Sequence, residues 1–302
     1  MGMINRACPL CGSVDDSQVF AEANFDFSSL DKFAFASRKI PEYMHYRMIS
    51  CCTCDLLYAS PLPAADLLVK SYVEADFDSS FEAHCAARTY AGFLPHIMKR
   101  LPDLRGTLDI GTGDGAFLEE LLKKGFVGVE GIEPSKAPVA TAKETIRPLI
   151  REGIFRPEDY GDDRFSLVTC FQTLEHLSDP LAMCRKAHAM LKKGGAVYFV
   201  CHSRRSLLAR VLGLKSPIFD IEHLQLFSPQ SAQYLLVQCG FIDIEVKPMV
   251  NSYPLSYWLK LFPFPVKLKT AILTRLVNSR IGSLMIPFPV GNLAVIGFKS
   301  RA

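Results

Sequence analysis

The chain has 302 residues, of which 49% are hydrophobic and 22% are charged, and its formal net charge is +3. This composition is typical of a globular protein that buries a sizeable core, and the charge is too small to indicate a nucleic-acid partner by itself. No apolar run is long enough for a membrane-spanning helix, and no apolar signal core follows the N-terminus, so we expect a cytoplasmic protein with reduced cysteines.

The first predicted element is a small metal-binding module over residues 1–65. Two C-x-x-C pairs provide its four candidate ligands, Cys8, Cys11, Cys51 and Cys54. Each pair folds both sulfurs to one side, which lets four thiolates bind one tetrahedral Zn²⁺ in a structural site. A metal-free thiol cluster and a redox pair are the alternatives, because 39 residues separate the pairs and Asp55 stands where glycine is usual.

A helical connector is expected over residues 66–104, and an α/β domain is expected over residues 105–302. The domain opens with LDIGTGDGAFLEELLKKG at 108–125. This stretch indicates the end of an apolar strand, a glycine-rich turn and an amphipathic helix that ends at Gly125.

Acidic residues near the glycine-rich turn indicate which cofactor it holds. Asp109 stands two residues before Gly111, Gly113 and Gly115, whose lack of a side chain lets a ligand approach the backbone. A carboxylate at this position repels a pyrophosphate and attracts an ammonium group. Glu133 ends the next predicted strand, where a carboxylate accepts both ribose hydroxyls. These residues therefore predict S-adenosylmethionine rather than NAD, with an ordinary tight turn as the alternative.

Strands and helices alternate along the rest of the domain. The stretches at 165–177 and 196–203 contain predicted strands, and Asp179 and Pro180 begin the helix between them. This alternation predicts a doubly wound, Rossmann-like α/β sheet with ligands at the carboxyl ends of its strands. The last two strands, IDIEVKP and NLAVIGFKS, have no crossover helix between them, so we expect an antiparallel hairpin at the sheet edge.

The hairpin encloses an insertion at about 250–288, which holds the only tryptophan, Trp258. Its apolar residues can share one helical face; they are Val266, Ile272, Leu273, Leu276 and Val277. The opposite face carries Lys267, Lys269, Thr270 and Thr274. We expect a lid that closes the substrate pocket, with its lysines in solvent. Contact with an anionic membrane is the alternative, because the helix is basic and lies close to Trp and Phe residues.

Five stretches in this order resemble the class I S-adenosylmethionine-dependent methyltransferases: LDIGTGDGAFLEEL, GIEPS, FQTLEHLSDP, GGAVYFV and EHLQLFSPQSAQYLLVQCGF. The resemblance covers residues 105–245, and within the family it points to the sugar and natural-product branch that carries an N-terminal zinc module. YRMISCCTCDLLYASP is similar to the second half of that module, which makes Cys52 a bystander. One departure is Ser166, where the family often has Asp.

The resemblance also implies roles for individual residues. The three glycines of the turn line the methionine part of the cofactor, and Glu133 holds its ribose. The sulfonium is flanked by the strand end at Gln172, Thr173 and Leu174.

Three histidines at the ligand-binding edge are candidates for removing a proton from the acceptor. His176 and His202 each follow a predicted strand, and the pair Glu222-His223 resembles a segment at the active site of sugar C-methyltransferases. We therefore predict His223 as the general base, Glu222 as its partner and His176 as a residue near the substrate. Structural packing of these histidines is the alternative.

These observations predict S-adenosylmethionine-dependent methyl transfer to a small-molecule acceptor: a sugar, a nucleotide-sugar or a natural-product intermediate. An RNA methyltransferase that grips nucleic acid with its zinc module is one alternative, and a non-catalytic binding protein of the same fold is another. Residues 1–60 contain more acidic than basic residues, which argues against RNA. The sequence does not indicate an oligomeric state.

Overall fold

The fold is described from a computed structural model that covers residues 3–25, 43–63, 80–262, 265–276 and 279–302. Its strands are β1 (Met3–Ile4), β2 (Ser17–Ala21), β3 (Met48–Cys51), β4 (Leu57–Ala59), β5 (Leu62–Pro63), β6 (Arg105–Ile110), β7 (Val127–Glu133), β8 (Ile150–Glu152), β9 (Phe165–Phe171), β10 (Leu191–His202), β11 (Gln225–Leu226), β12 (Ile242–Pro254) and β13 (Met285–Phe298). Within the same ranges its α-helices are α1 (Ser80–Ala91), α2 (Leu94–Met98), α3 (Ala116–Lys123), α4 (Lys136–Thr141), α5 (Pro180–Met190), α6 (Leu207–Leu212), α7 (Pro229–Gln238), α8 (Leu255–Leu261) and α9 (Val266–Leu276). Residues 66–79 of the predicted connector lie outside the described residues, and so does Val277.

The central sheet has seven strands in the order β12-β13-β10-β9-β6-β7-β8. Strands β6 to β10 pair in parallel, whereas β13 runs antiparallel to both of its neighbours. The predicted doubly wound sheet with a terminal antiparallel hairpin is therefore confirmed. The structure adds that β13 lies inside the sheet, because residues 293–298 are buried, while the more exposed β12 forms the edge.

Helices cover both faces of this sheet because its inner strands are apolar on both sides. In β10, Val197 and Phe199 pack on one face, and Tyr198 and Val200 pack on the other. The first face is covered by α5 and α7, and the second is covered by α1, α3 and α8. The carboxyl ends of the parallel strands lie between these two layers, where a doubly wound sheet binds its ligand.

The cysteine-containing segment packs on the same face as α5 and α7. Cys8 and Cys54 belong to the apolar cluster that those helices form with the sheet. Strands β2, β3 and β4 form a second sheet, and its fourth strand is β11, which follows Glu222-His223 directly. The N-terminal strands therefore hold a predicted catalytic segment that is distant in sequence.

Ser166 occupies the position where the family often has Asp, at the end of the sheet opposite the ligand edge. Its hydroxyl donates to Asp103 Oδ1 at 2.5 Å, and Lys192 Nζ donates to both carboxylate oxygens of Asp103 at 3.0 Å. A carboxylate is thus still present next to this position of β9, because Asp103 in the loop before β6 contacts Ser166.

The insertion is shorter than predicted, because the hairpin strands extend to Pro254 and from Met285. Residues 255–284 therefore form the insertion, which contains α8 and α9. Lys267 on α9 is exposed as expected, but Lys269 is buried, and its Nζ donates to the carbonyl of Lys260 at 3.1 Å. The expectation of solvated lysines is wrong for Lys269, whose pKa burial lowers. No helix among the described residues is both long enough and apolar enough to cross a bilayer.

Candidate active site

A cavity of about 680 Å³ lies at the carboxyl ends of β6, β7 and β9. We call the part lined by the glycine-rich turn and Glu133 the cofactor end, and the part lined by α8, the outer part of β13 and the histidines the acceptor end. The three histidines in this lining are His176, His202 and His223. The structure thus brings the predicted cofactor residues and the predicted catalytic histidines into one continuous space.

The glycine-rich turn has a backbone that only glycine adopts easily. Gly111, Gly113 and Gly115 have φ angles of 77°, 59° and 76°. A side chain on Gly111 would meet Thr173 Oγ1 at 2.2 Å, and one on Gly115 would meet Ile146 Cγ2 at 2.4 Å. No atom lies within 4 Å of the corresponding position on Gly113, which lines the cavity. The first and third glycines therefore serve close packing, whereas the second leaves the backbone open to a ligand.

Two buried carboxylates lie beside this turn. Glu133 Oε2 accepts from the Gly113 amide at 2.9 Å, and its Oε1 accepts from the Ser135 amide at 3.0 Å. Asp109 accepts from Thr169 Oγ1 at 2.6 Å. Burial raises the pKa of both acids, against the hydrogen bonds they accept. A carboxylate held in this way favours a cationic or hydroxyl-bearing partner, which matches the ammonium and ribose of S-adenosylmethionine.

The strand end after β9 is divided between the cavity and the core. Gln172, with a φ of 52°, and Thr173 line the cavity. Leu174 is 1% exposed and packs in the apolar cluster under the sheet. Leu174 therefore does not line the cavity, where its contact with the cofactor was predicted.

The three histidines form a cluster with His223 at its centre. The ring of His223 lies 5.0 Å from the ring of His176 and 5.0 Å from the ring of His202, measured between centroids. His223 Nε2 lies 3.9 Å from Glu222 Oε1, so the predicted pair is close but not in hydrogen-bond contact. Burial lowers the pKa of His176, and it lowers that of His202 to about 4.

Hydrogen bonds hold each histidine through Nδ1. The Nδ1 atom of His176 lies 3.0 Å from the Glu222 carbonyl, and that of His223 lies 2.8 Å from the Ile218 carbonyl. The Nδ1 atom of His202 lies 2.9 Å from Asn292 Oδ1. Because a carbonyl oxygen only accepts, Nδ1 carries the proton in the neutral rings of His202 and His223, and Nε2 carries the lone pair there.

Glu175 was not predicted as a site residue, although it belongs to the same Glu-His pair as His176. Its side chain is fully buried, and Oε1 accepts from the His202 amide at 2.5 Å. Burial raises its pKa to about 7. The repeated pair, Glu175-His176 and Glu222-His223, is the signal in the sequence that marks this residue.

The four predicted metal ligands lie together, with their sulfur atoms all within 4.8 Å of one another. The Sγ atoms of Cys8 and Cys54 are 3.5 Å apart, and those of Cys11 and Cys51 are 3.4 Å apart. Cys52 is exposed and does not belong to the cluster. Sulfurs bound to one tetrahedral zinc ion at about 2.3 Å are separated by similar distances. The donor set therefore fits zinc.

Asp55 explains how the second cysteine pair closes without glycine. Its φ is 61°, close to the 71° of Gly12 in the first pair, and aspartate tolerates this left-handed conformation better than most residues. Its carboxylate forms an ion pair with Arg204 at 3.0 Å and accepts from Arg205 Nε at 3.0 Å. The residue thus closes the turn and ties it to the segment that follows His202.

Arg6 connects the cysteine-containing segment to both histidine loops. Its guanidinium donates to the carbonyl of Leu224 at 2.7 Å and to the carbonyl of Ser178 at 3.0 Å. It also donates to the carbonyl of Ala59 at 2.9 Å. Burial lowers its pKa to about 10, so it stays charged near neutral pH. Nothing in the sequence around Arg6 indicated this role.

The strand order and the cavity together define the class of the protein. A parallel sheet with one antiparallel strand next to its edge, a glycine-rich turn after β6 and a buried acid at the end of β7 are the arrangement of class I S-adenosylmethionine-dependent methyltransferases.

The chain belongs to the methyltransferase-domain family, because a family model with that description matches residues 83–246, more than half of its length. The protein is accordingly an S-adenosylmethionine-dependent methyltransferase.

Named relatives and a solved structure agree with this assignment. The chain is 28% identical over 186 residues to a ubiquinone biosynthesis O-methyltransferase from Vibrio parahaemolyticus, which covers 54% of this chain and 77% of the relative. It is 32% identical over 117 residues to the enzyme of that name from Pseudomonas syringae, covering 35% and 49%. The YcgJ protein from Bacillus subtilis shares the fold, with a TM-score of 0.52 and 18% identity over 71% of this chain and all of the other.

Proposed function

We propose that the protein transfers the methyl group of S-adenosylmethionine to a hydroxyl oxygen of a small, uncharged acceptor. The cavity carries this proposal, because it joins the buried acids of the cofactor end to a histidine whose Nε2 can take a proton. When bound, the cofactor supplies an electrophilic methyl group on a sulfonium. Relatives named as O-methyltransferases favour oxygen as the acceptor atom.

At the cofactor end, Glu133 would accept the ribose hydroxyls and Asp109 would attract the ammonium group. The open backbone of Gly113 would allow the cofactor to approach closely. Gln172 and Thr173, which line the cavity at the end of β9, would hold the part of the cofactor near the sulfonium. Both acids are ionised in this state, because a bound cation and the donated hydroxyls favour the carboxylate form.

At the acceptor end, His223 is the general base. Its Nδ1–H donates to the Ile218 carbonyl, so Nε2 receives the proton of the acceptor hydroxyl. Glu222, 3.9 Å from Nε2, stabilises the imidazolium that forms. His176 packs against the ring of His223 and binds the Glu222 carbonyl, which positions both members of the pair.

The cavity lining supports an acceptor without negative charge. Among the described residues, the wall contains no Lys or Arg and has six acids: Asp109, Asp114, Glu133, Asp179, Asp220 and Glu222. A phosphate group would be repelled there, which disfavours a nucleotide-sugar or RNA. Tyr257, Trp258 and Phe288 provide an aromatic wall instead. Of the predicted acceptors, a natural-product intermediate without phosphate fits best.

The test of this function is turnover with panels of phenols, sugars and nucleotide-sugars, measured as S-adenosylhomocysteine and methylated product. We expect activity on a hydroxylated, apolar compound. His223→Ala should lower kcat by roughly 100-fold and leave the Kd for S-adenosylmethionine unchanged. His188→Ala is the matched control, since His188 lies on α5 and packs against Phe241 outside the cavity. Unchanged turnover in His223→Ala would refute the proposal that His223 is the general base.

We also propose one structural zinc ion per chain, held by Cys8, Cys11, Cys51 and Cys54. Their mutual distances support this site. Elemental analysis should find one zinc per chain, lost in Cys54→Ser and kept in Cys52→Ser, because Cys52 points away from the cluster. A folded protein without zinc would contradict the proposal.

A further inference from the structure

Helix α6 presents neighbouring sides to the cavity and to solvent. Leu208 and Leu212 line the cavity, whereas Leu207 and Val211 are 77% and 72% exposed. Large aliphatic side chains with this exposure gain little from the fold, because burial is the main stabilising contribution of such residues. Exposed together, they indicate a surface that is covered in function.

The insertion and the adjoining start of β13 expose a second set of apolar side chains. Ile281 is 64% exposed, and Leu268, Leu284, Met285 and Phe288 are exposed as well. Phe288 also lines the cavity, so this set reaches the cavity opening. We call the exposed apolar residues of both sets the mouth surface; they are Leu207, Val211, Leu268, Ile281, Leu284, Met285 and Phe288.

Contacts between the segments connect α6 to β13, the strand that carries part of the second set. The Ser203 amide donates to the Gly291 carbonyl at 2.7 Å, and a side chain on Gly291 would meet Ser206 Oγ at 2.3 Å. The start of α6 therefore packs directly on β13. At the other side, the Ser256 amide donates to the Gly282 carbonyl at 3.0 Å, which ties the turn before β13 to α8.

The two segments that carry the mouth surface contain charges of one sign. Residues 204–219 and 246–302 contain Lys and Arg but no Asp or Glu. The exposed cations on and around α6 and the insertion are Arg210, Lys215, Lys267, Arg275 and Arg280. These exposed cations contrast with the acids that line the cavity.

We propose that the mouth surface binds an anionic lipid bilayer, with the cavity opening facing the lipid. Apolar side chains that enter the interface and cations that attract acidic headgroups are the two components of such binding. A second copy of the chain would bring two surfaces of the same sign together in a two-fold dimer, which opposes that occupant. A nucleic acid would leave the apolar side chains uncovered. Under the proposed function, the acceptor then reaches the cavity from the bilayer.

Co-sedimentation of the full chain with vesicles tests this proposal without any requirement for turnover. We expect binding to vesicles of phosphatidylglycerol and phosphatidylcholine, little binding to phosphatidylcholine alone, and loss of binding near 1 M salt, where the Debye length is about 3 Å. The double variant Leu207→Ser, Val211→Ser should reduce partitioning at least tenfold. Its matched control is Val237→Ser, an exposed valine on α7.

Charge reversal provides a second measurement that does not touch the apolar side chains. Lys267→Glu with Arg275→Glu should weaken binding to acidic vesicles and flatten its salt dependence. Thermal melting and S-adenosylmethionine binding should match the parent in every variant, which separates lost lipid binding from misfolding. The proposal is overturned if the parent ignores acidic vesicles, if neutral vesicles bind equally well, or if light scattering shows a dimer that the α6 variant dissociates.

Discussion

Glu175 shows how one buried carboxyl couples the histidine cluster to pH. One of its oxygens accepts from the His202 amide, and the other is buried without a hydrogen-bond partner among the described residues. Its pKa of about 7 lies above the ordinary value of 4.5, with burial as the main cause. Because the unfolded chain releases this proton at lower pH, the folded state loses stability as pH rises between these two values.

Replacement of Glu175 by Gln should therefore stabilise the protein most at high pH. The amide keeps an acceptor for the His202 backbone and removes the buried charge. Relative to the parent, Glu175→Gln should gain about 2–3 kcal/mol more at pH 8 than at pH 5. Urea unfolding of both proteins at the two pH values measures this difference. A constant difference would mean that Glu175 is already ionised in the folded protein at pH 5.

Glu133 leads to the opposite pH dependence, for binding rather than for folding. Burial raises its pKa, and a ribose needs the ionised form as its acceptor. Affinity for S-adenosylmethionine should fall as pH drops through that raised pKa, above the range of an ordinary carboxyl group. Glu133→Gln should weaken binding by about 1.5–3 kcal/mol and reduce the pH dependence. Calorimetry measures both affinities, and the control is Glu152→Gln, because Glu152 is the exposed neighbour of Glu133 at the end of β8. An equal loss of S-adenosylmethionine affinity in Glu152→Gln would contradict the role of Glu133.

At this scale the sequence predicted which residues meet but not how they are held. The glycine-rich turn, Glu133 and the histidines converge because they end parallel strands, and strand ends are readable from apolar runs. The placement of Leu174 in the core depends on the twist of one turn after β9, and the acceptor for His202 comes from Asn292, ninety residues later. Neither relationship has a local pattern.

Among the elements, β11 joins the cysteine-containing sheet to the catalytic cluster. It pairs with β4 and begins two residues after His223. Arg6 binds carbonyls on both sides of this pairing, and Gln225 Nε2 donates to the carbonyls of Leu174 and Leu177. The loops of His176 and His223 are therefore held by one network that starts in the N-terminal segment.

Arg6→Met should loosen this network while leaving the cofactor end intact. Removal of the charged donor leaves several carbonyl oxygens without a hydrogen bond, so we expect the free energy of unfolding to fall by about 2–3 kcal/mol. We also expect a lower kcat at unchanged affinity for S-adenosylmethionine, because Arg6 contacts the histidine loops and not the glycine-rich turn. The control is Arg151→Met, because Arg151 lies on the edge strand β8 and pairs there with Asp159. If cofactor affinity falls while kcat is unchanged, Arg6 does not act through the histidine loops.

Element types were predicted well where periodicity is strong, and their lengths less well. The hairpin was expected from two short apolar runs, but β12 and β13 continue to Pro254 and from Met285 through residues that alternate less clearly. A strand becomes longer when a partner strand pairs with it in register. The sequence of one strand alone does not show where that pairing ends. The same holds for β11, two residues long, which exists only through β4.

For the molecule as a whole, the lid and the membrane hypotheses concern different parts of the insertion. Trp258 is 7% exposed, its indole N–H donates to the Ile286 carbonyl at 2.9 Å, and it lines the cavity beside Phe288. This inner side belongs to the acceptor wall. The outer side, including Ile281, belongs to the mouth surface. Helical periodicity alone could not separate the two, because each side contains apolar residues.

The fluorescence of the only tryptophan tests this division directly. Trp258 emission should change when a hydroxylated apolar acceptor fills the cavity, and it should stay constant with S-adenosylmethionine alone or with acidic vesicles. A reporter on the other side, Leu207→Trp in a Trp258→Phe background, should shift to shorter wavelength with acidic vesicles, because its side chain moves from water into the interface. A vesicle response from Trp258 and none from position 207 would contradict this division. The lipid would then contact the inner side of the insertion, at α8, and the insertion would not act as a cover over the cavity.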